Sequence, residues 1–213
     1  MDYIMGIDVG TSNVKAVLFD EKGTEIQVAS RVSETINDGG NNEEQDMTLV
    51  WEKVKACITE LMDSKVVAAE DIKGIGVTGQ GEGCWLIDKE GKPLQNAILW
   101  CDGRAVAEVH KITEEHPEIG KLYHRTTGTP PLLGNQMMLL RWMKSHRKDV
   151  LDKGYKILFC KDWIRYNLTG KIGTEITDSF TSLIDAQTGK IAEDLMKELD
   201  IFEYRDYLPD PVD

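Results

Sequence analysis

The stretch that most constrains this chain is its N-terminal twenty residues. Tyr3 to Ile7 is a short apolar run, Asp8 to Asn13 a tight polar turn, and Val14 to Phe19 a second apolar run closed by Asp20. Two apolar runs bracketing a Gly/Ser/Asn turn predict a β-hairpin. The turn carries more chemistry than a connector needs. Asp8 ends the strand as a carboxylate, Gly10 lets the backbone approach a ligand, and Thr11, Ser12 and Asn13 offer hydroxyls and an amide. Lys15 follows on the returning strand. Successive backbone N–H groups in such a turn can form an anion-binding nest. A carboxylate beside it can hold a magnesium ion that keeps most of its waters. The pattern therefore suits a phosphate held next to Mg²⁺, with a plain polar hairpin turn as the alternative.

Downstream, Thr24 to Val32 predicts a third strand and so an antiparallel meander, and Ile36 to Gln45 reads as an aperiodic polar loop. Asp46 is placed to cap a helix on which Leu49, Val50, Val54, Ile58 and Leu61 recur at helical spacing. Ile72 to Val77 predicts a buried strand. The order strand, strand, strand, helix, strand is a mixed α/β beginning. Gly74, Gly76 and Gly79 satisfy the dinucleotide-binding spacing, but that fingerprint requires a strand turning into a helix at the glycines. Here Gly74 and Gly76 sit inside the strand, no helix is expected after Gly79, and a further strand, Gly81 to Asp88, follows. A Rossmann site is rejected.

Two later loops carry candidate ligand chemistry. Gln80-Gly81-Glu82-Gly83 lies at a strand end, where α/β proteins place ligands. Glu82, between glycines, can accept hydrogen bonds from sugar hydroxyls or stand as an exposed loop acid. Trp100-Cys101-Asp102-Gly103-Arg104 combines an indole face for C–H surfaces with charged hydrogen-bonding groups. Equally, Trp100 can be core and Asp102 the N-cap of a helix from Arg104 to Glu115. Further helices are predicted over Ile119 to His124, Asn135 to Lys144, Lys161 to Thr169 with Gly170 as its cap, and Ile191 to Leu199. A strand is predicted over Tyr155 to Phe159, and Tyr207 to Pro211 reads as a linker. The Met-rich helix from Asn135 is read as core or interdomain surface rather than a cofactor box.

The string Gly6-Ile7-Asp8-x-Gly10-Thr11-Ser12-x-x-Lys15, followed by Leu18-Phe19-Asp20, resembles the opening of the FGGY family of carbohydrate kinases. Trp100-x-Asp102-x-Arg104, Gly128-x-Pro130, Lys161-Asp162 and Thr177-Asp178-Ser179 extend the likeness over nearly the whole chain. The resemblance implies an α/β fold of the actin-like, ribonuclease H-like ATPase type, a mixed sheet with an N-terminal antiparallel meander flanked by helices. It implies the cofactors ATP and Mg²⁺. Asp8 would act through Mg²⁺, and Gly10, Thr11, Ser12, Asn13 and Lys15 would hold phosphate. Gln80, Glu82, Trp100 and Asp102 would contact the substrate, with Arg104 supporting their loop. Lys161, Thr177 and their neighbours would brace the domain, Asp178 alone among them lying near a ligand. Gly81-Glu82 replaces the Met-His usual in xylulose kinases, which points away from D-xylulose and towards an L-xylulose or erythritol kinase. The family's second lobe supplies the catalytic base and most of the ATP pocket. Neither is found in these residues, so the chain is expected to be the N-terminal lobe of a kinase, inactive alone. Its expected partners are a sugar or polyol, the C-terminal lobe and a second copy in a homodimer. A sugar-sensing module and an actin-like scaffold ATPase are the other readings.

The composition agrees. A chain of 213 residues can bury one domain's core. Thirty-seven acidic against 25 basic residues leave a net charge of −12, which argues against nucleic acid and anionic membrane. Cys57, Cys84, Cys101 and Cys160 are scattered, with neither a zinc nor a redox spacing. No secretory or membrane-spanning stretch is evident, and a cytoplasmic location is expected.

Overall fold

A computed structural model of the chain describes residues 2–212. In chain order the strands and helices begin with β1 (Tyr3–Val9), β2 (Asn13–Asp20), β3 (Glu25–Val32), β4 (Ile36–Asn37), β5 (Glu43–Gln45), α1 (Met47–Asp63), β6 (Ile72–Gly79), β7 (Trp85–Ile87) and β8 (Ala97–Ile98). They continue with α2 (Val106–His110), α3 (Pro117–Thr127), α4 (Gln136–His146), α5 (Lys148–Leu151), β9 (Lys156–Leu158) and α6 (Cys160–Thr169). The last are β10 (Thr174–Glu175), α7 (Ile176–Ser182), β11 (Ile184–Asp185), β12 (Lys190–Ile191), α8 (Glu193–Glu198) and β13 (Pro211–Val212). They fall into two compact units, 1–35 with 46–80, and 36–45 with 81–213.

The first unit is a four-stranded mixed sheet in the order β3-β2-β1-β6, with β1 antiparallel to β2 and parallel to β6. Alternation decides its faces. Met5, Ile7 and Val9 on β1, with Val14, Ala16 and Leu18 on β2, are buried, whereas Ile4, Asp8 and Lys15 are exposed. Helix α1 belongs to the same core through Met47, Val50, Val54, Cys57 and Leu61. Leu49, counted inward by periodicity, is 39% exposed, because the true stripe is set one position away. Asp46 caps α1 as expected, its carboxylate accepting from the N–H groups of Thr48 and Leu49 at 2.8 and 3.0 Å. Strand β6 is not the buried strand that its apolar content suggested. It ends the order of described strands, and its Ile75 is 48% exposed. It runs straight through Gly74, Gly76 and Gly79, so no helix opens at the glycines.

The second unit has a core of buried side chains from α3, α4, α5, α8 and the strands β7, β8, β9 and β11, in which Met137, Met138 and Met143 take part. The Met-rich helix is core. Residues 36–45, read as a loop, form β4 and β5, and β5 pairs with β8. The segment taken for a linker is docked: Leu208 is buried and Pro211–Val212 pairs with Thr174–Glu175. Among the described residues no helix is long and apolar enough to cross a membrane.

Candidate functional site

In the first unit the β1–β2 turn is closed by the Gly10 N–H donating to Asn13 O at 2.9 Å. A side chain at Gly10 would press on that same oxygen, at 3.3 Å, so the turn has little room for one. Antiparallel register sets Asp8 directly opposite Lys15, and parallel register sets it beside Thr78. All three are exposed. A groove of about 430 Å³ runs along this face between Gly6, Asp8, Val17, Phe19, Gly76 and Thr78. Ser12 and Asn13 lie exposed at the turn, and the Ser12 carbonyl accepts from Ser33 N–H at 2.8 Å. The Thr11 hydroxyl donates to Gln80 Oε1 at 3.2 Å, while Gln80 N–H donates to Val9 O at 2.9 Å. The turn and the first residue of the Gln80–Gly83 loop are thus bonded to each other twice over.

That loop passes into the second unit. Glu82 takes up a left-handed backbone conformation, φ 54°, and Gly83 follows at φ 82°. The turn folds the Glu82 carboxylate inward, where Asn135 Nδ2 donates to Oε1 at 2.9 Å and Ser182 Oγ and Gln136 N–H donate to Oε2 at 2.9 and 3.2 Å. Burial pushes the Glu82 carboxyl above its ordinary range, against these hydrogen bonds. Gln136 itself is buried and donates from Nε2 to Gly83 O and Leu158 O. Asn135 Oδ1 accepts from Tyr123 OH at 3.3 Å and from Leu132 N–H at 2.5 Å. Sequence reasoning missed this second tier. The signal available was a polar Asn-Gln pair heading an otherwise apolar helix.

Trp100 is 52% exposed, with its backbone packed on Gly134, where any side chain would sit 1.9 Å from Trp100 O. The indole is therefore presented outward rather than used as core. Asp102 is different. It is wholly buried, and Glu43 N–H, Arg104 N–H, Arg104 Nε and Arg104 Nη2 donate to its two oxygens at 2.7 to 2.8 Å. A carboxylate accepts about four such bonds, so in this conformation nothing remains for a substrate hydroxyl. Nor is Asp102 a helix cap, since α2 begins at Val106. It fixes Arg104, whose guanidinium also donates to Glu44 at 2.7 Å and lies 5.0 Å over the Trp142 ring.

Among the described residues no group of three or more His, Cys, Asp or Glu can hold a metal. Magnesium does not need one, because it is commonly held by one or two carboxylates with waters and substrate phosphates. Asp8, exposed at the strand end beside the turn, fits that requirement.

The profile described as "FGGY family of carbohydrate kinases, N-terminal domain" matches residues 3–212. The L-xylulose/3-keto-L-gulonate kinase of Escherichia coli is 35% identical over 97% of this chain and 41% of its own. The erythritol kinase of Brucella abortus is 28% identical over 100% of this chain and 40% of its own. The crystal structure of a ligand-bound xylulose kinase from Lactobacillus acidophilus superimposes with a TM-score of 0.90 at 25% identity, over 100% of this chain and 42% of that one. The chain thus spans about two fifths of the length of the relatives it matches, and it shares their actin-like α/β fold. On the strength of a profile that covers its described length almost end to end, the chain belongs to the FGGY family of carbohydrate kinases, matching that family's N-terminal domain.

Proposed function

We propose that this chain is the acceptor- and phosphate-binding lobe of an ATP-dependent sugar or polyol kinase. The observation that carries the reading is the Thr11–Gln80 hydrogen bond, 3.2 Å, which ties the phosphate-type turn to the first residue of the acceptor loop. Asp8 would hold Mg²⁺ through water, and that ion would neutralise charge on the transferring phosphoryl group. Lys15 places a cation on the same exposed face, and Gly10 would let the turn's backbone approach phosphate. In the second unit Trp100 offers a flat apolar face to sugar C–H groups, and Glu82, held inward by Asn135, Gln136 and Ser182, shapes the loop that would meet the acceptor. Asp102 positions Arg104 and the Trp100 loop rather than touching the acceptor. Phosphoryl transfer of this kind rests on positioning and electrostatics. The acceptor class is a ketopentose such as L-xylulose, with tetritols second because an erythritol kinase matches the chain over its whole length.

The reading is tested by ADP release from ATP and Mg²⁺ with a panel of ketopentoses and tetritols, for this chain alone and with the C-terminal lobe of a relative added. Acceptor-dependent ADP only in the mixture is the expected result. ADP release by this chain alone would overturn the half-kinase assignment. In the complemented enzyme Asp8→Asn should lower kcat on the order of 10²-fold, the scale of losing one preorganised electrostatic contact, with acceptor KM unchanged. Unaltered kcat would remove the metal role from Asp8.

A further inference from the structure

Three carboxylates in the second unit face the loops just described, and they differ in what they have left to bind. Asp102 accepts four hydrogen bonds and Glu82 at least three. Asp178 stands apart. It is 8% exposed, and its buried Oδ2 is ion-paired with Lys161 Nζ at 3.3 Å, which leaves Oδ1, the oxygen towards Gly81, to take a further donor. Lys161 also donates to Glu175 Oε2 at 2.7 Å and Thr177 Oγ1 at 3.1 Å, so one ammonium is shared among three oxygens. A buried carboxylate short of donors is costly, and a ligand hydroxyl that supplies one recovers part of that cost.

Helix α7 fixes where Asp178 points. Asp178 and Ser182 are four residues apart and so share one face of the helix. Ser182 Oγ meets Glu82 on that face, and Asp178 Oδ1 meets Gly81, lying 3.5 Å from where a Cβ would stand. The acceptor loop therefore leaves a gap at Gly81, and the gap is floored by Asp178. The local charge decides what fits. One ammonium, Lys161, faces two carboxylates, Glu175 and Asp178, so the floor keeps a net negative charge that suits a hydroxyl donor and repels an anionic acceptor.

We propose that Asp178, uncovered by the missing side chain at Gly81 and anchored by Lys161, accepts a hydrogen bond from an acceptor hydroxyl and selects an uncharged ketose or polyol over a sugar acid. This rests on the acceptor-lobe reading above. Two variants test it. Asp178→Asn removes the charged acceptor. Gly81→Val covers it from the loop side, and Gly81 is not among the glycines of positive φ, so a side chain is tolerated by the backbone there. Binding of L-xylulose and of 3-keto-L-gulonate to the 213-residue chain is measured by titration calorimetry, alongside thermal unfolding.

The wild-type chain should bind L-xylulose in preference to the acid. Both variants should weaken L-xylulose roughly tenfold or more, the scale of one hydrogen bond to a charged group. The Asp178→Asn chain should also lose its preference against the acid. If neither ligand binds the wild-type chain, the acceptor-lobe reading falls and this inference with it. If the wild-type chain binds L-xylulose and both variants match it, the inference alone is overturned, as it is if Asp178→Asn unfolds earlier while its affinity and preference stay the same.

Discussion

Gly83 sits at φ 82°, and a Cβ there would stand 2.5 Å from Ile98 O. That oxygen is already the acceptor of Cys84 N–H at 2.8 Å, and Ile98 N–H returns the bond to Cys84 O at 3.0 Å. An alanine must therefore adopt a left-handed backbone and force apart a paired bridge. Gly83→Ala should lower stability by roughly 2–4 kcal/mol, measured as a fall in the urea midpoint at constant slope. An alanine variant as stable as the parent would show that the loop yields without the bridge. Glu82, on the near side of this glycine, owes its inward carboxylate to the same turn, so acceptor geometry should loosen along with stability.

At the scale of elements, α1 shows how far local rules reach. Its cap is one side chain accepting two N–H groups, and Asp46→Ala should destabilise the chain by about 1 kcal/mol. Equal urea midpoints for the two chains would refute that. The hairpin, the third strand, the cap and the glycine-bearing strand β6 were all legible, because turn chemistry and hydrophobic period are written in neighbouring residues. What escaped was set by distant partners. Nothing in the polar run 36–45 announces strands, since Glu44 and Gln45 pair with Ile98 and Ala97 far along the chain. Leu208 looks like part of a linker until the core it enters is assembled. For the candidate site, the motif residues were readable as types, yet their remaining hydrogen-bond capacity was not. Asp102 reads like a ligand and is spent on Arg104 and Glu43, whereas Asp178, read as lying near a ligand, turns Oδ1 towards Gly81.

The acid–base balance of the whole molecule sets a stability profile that differs from a plain reading of its charge. At neutral pH the net charge is −12, which opposes compaction by self-repulsion. Desolvation raises the carboxyls of Glu82 and Asp178 and lifts that of Asp162, which is 1% exposed, to about 6 from an ordinary 3.8. For an acid whose folded pKa is raised, the folded state holds a proton that the unfolded chain has lost. Its effect on stability is therefore most favourable below the unfolded pKa and declines as pH climbs to the folded one. Glu175 runs the other way. Burial pushes it up, but hydrogen bonds from Lys161 and Thr177 outweigh burial and hold it at about 2. Its contribution is present above the ordinary 4.5 and is lost as pH falls towards 2. From pH 7.5 down to about 5, repulsion falls and the raised acids take up protons, while Glu175 stays ionised. Unfolding free energy from urea titrations should therefore rise over that interval, pass a maximum near pH 5, and drop below about pH 4. Added salt should stabilise the chain at pH 7.5 and have little effect at pH 5, where there is less charge to screen. Asp162→Asn should flatten the rise between about pH 4 and 6. Stability that instead climbs steadily from pH 5 to 7.5 would mean that the buried acids are paired more fully than their surroundings indicate.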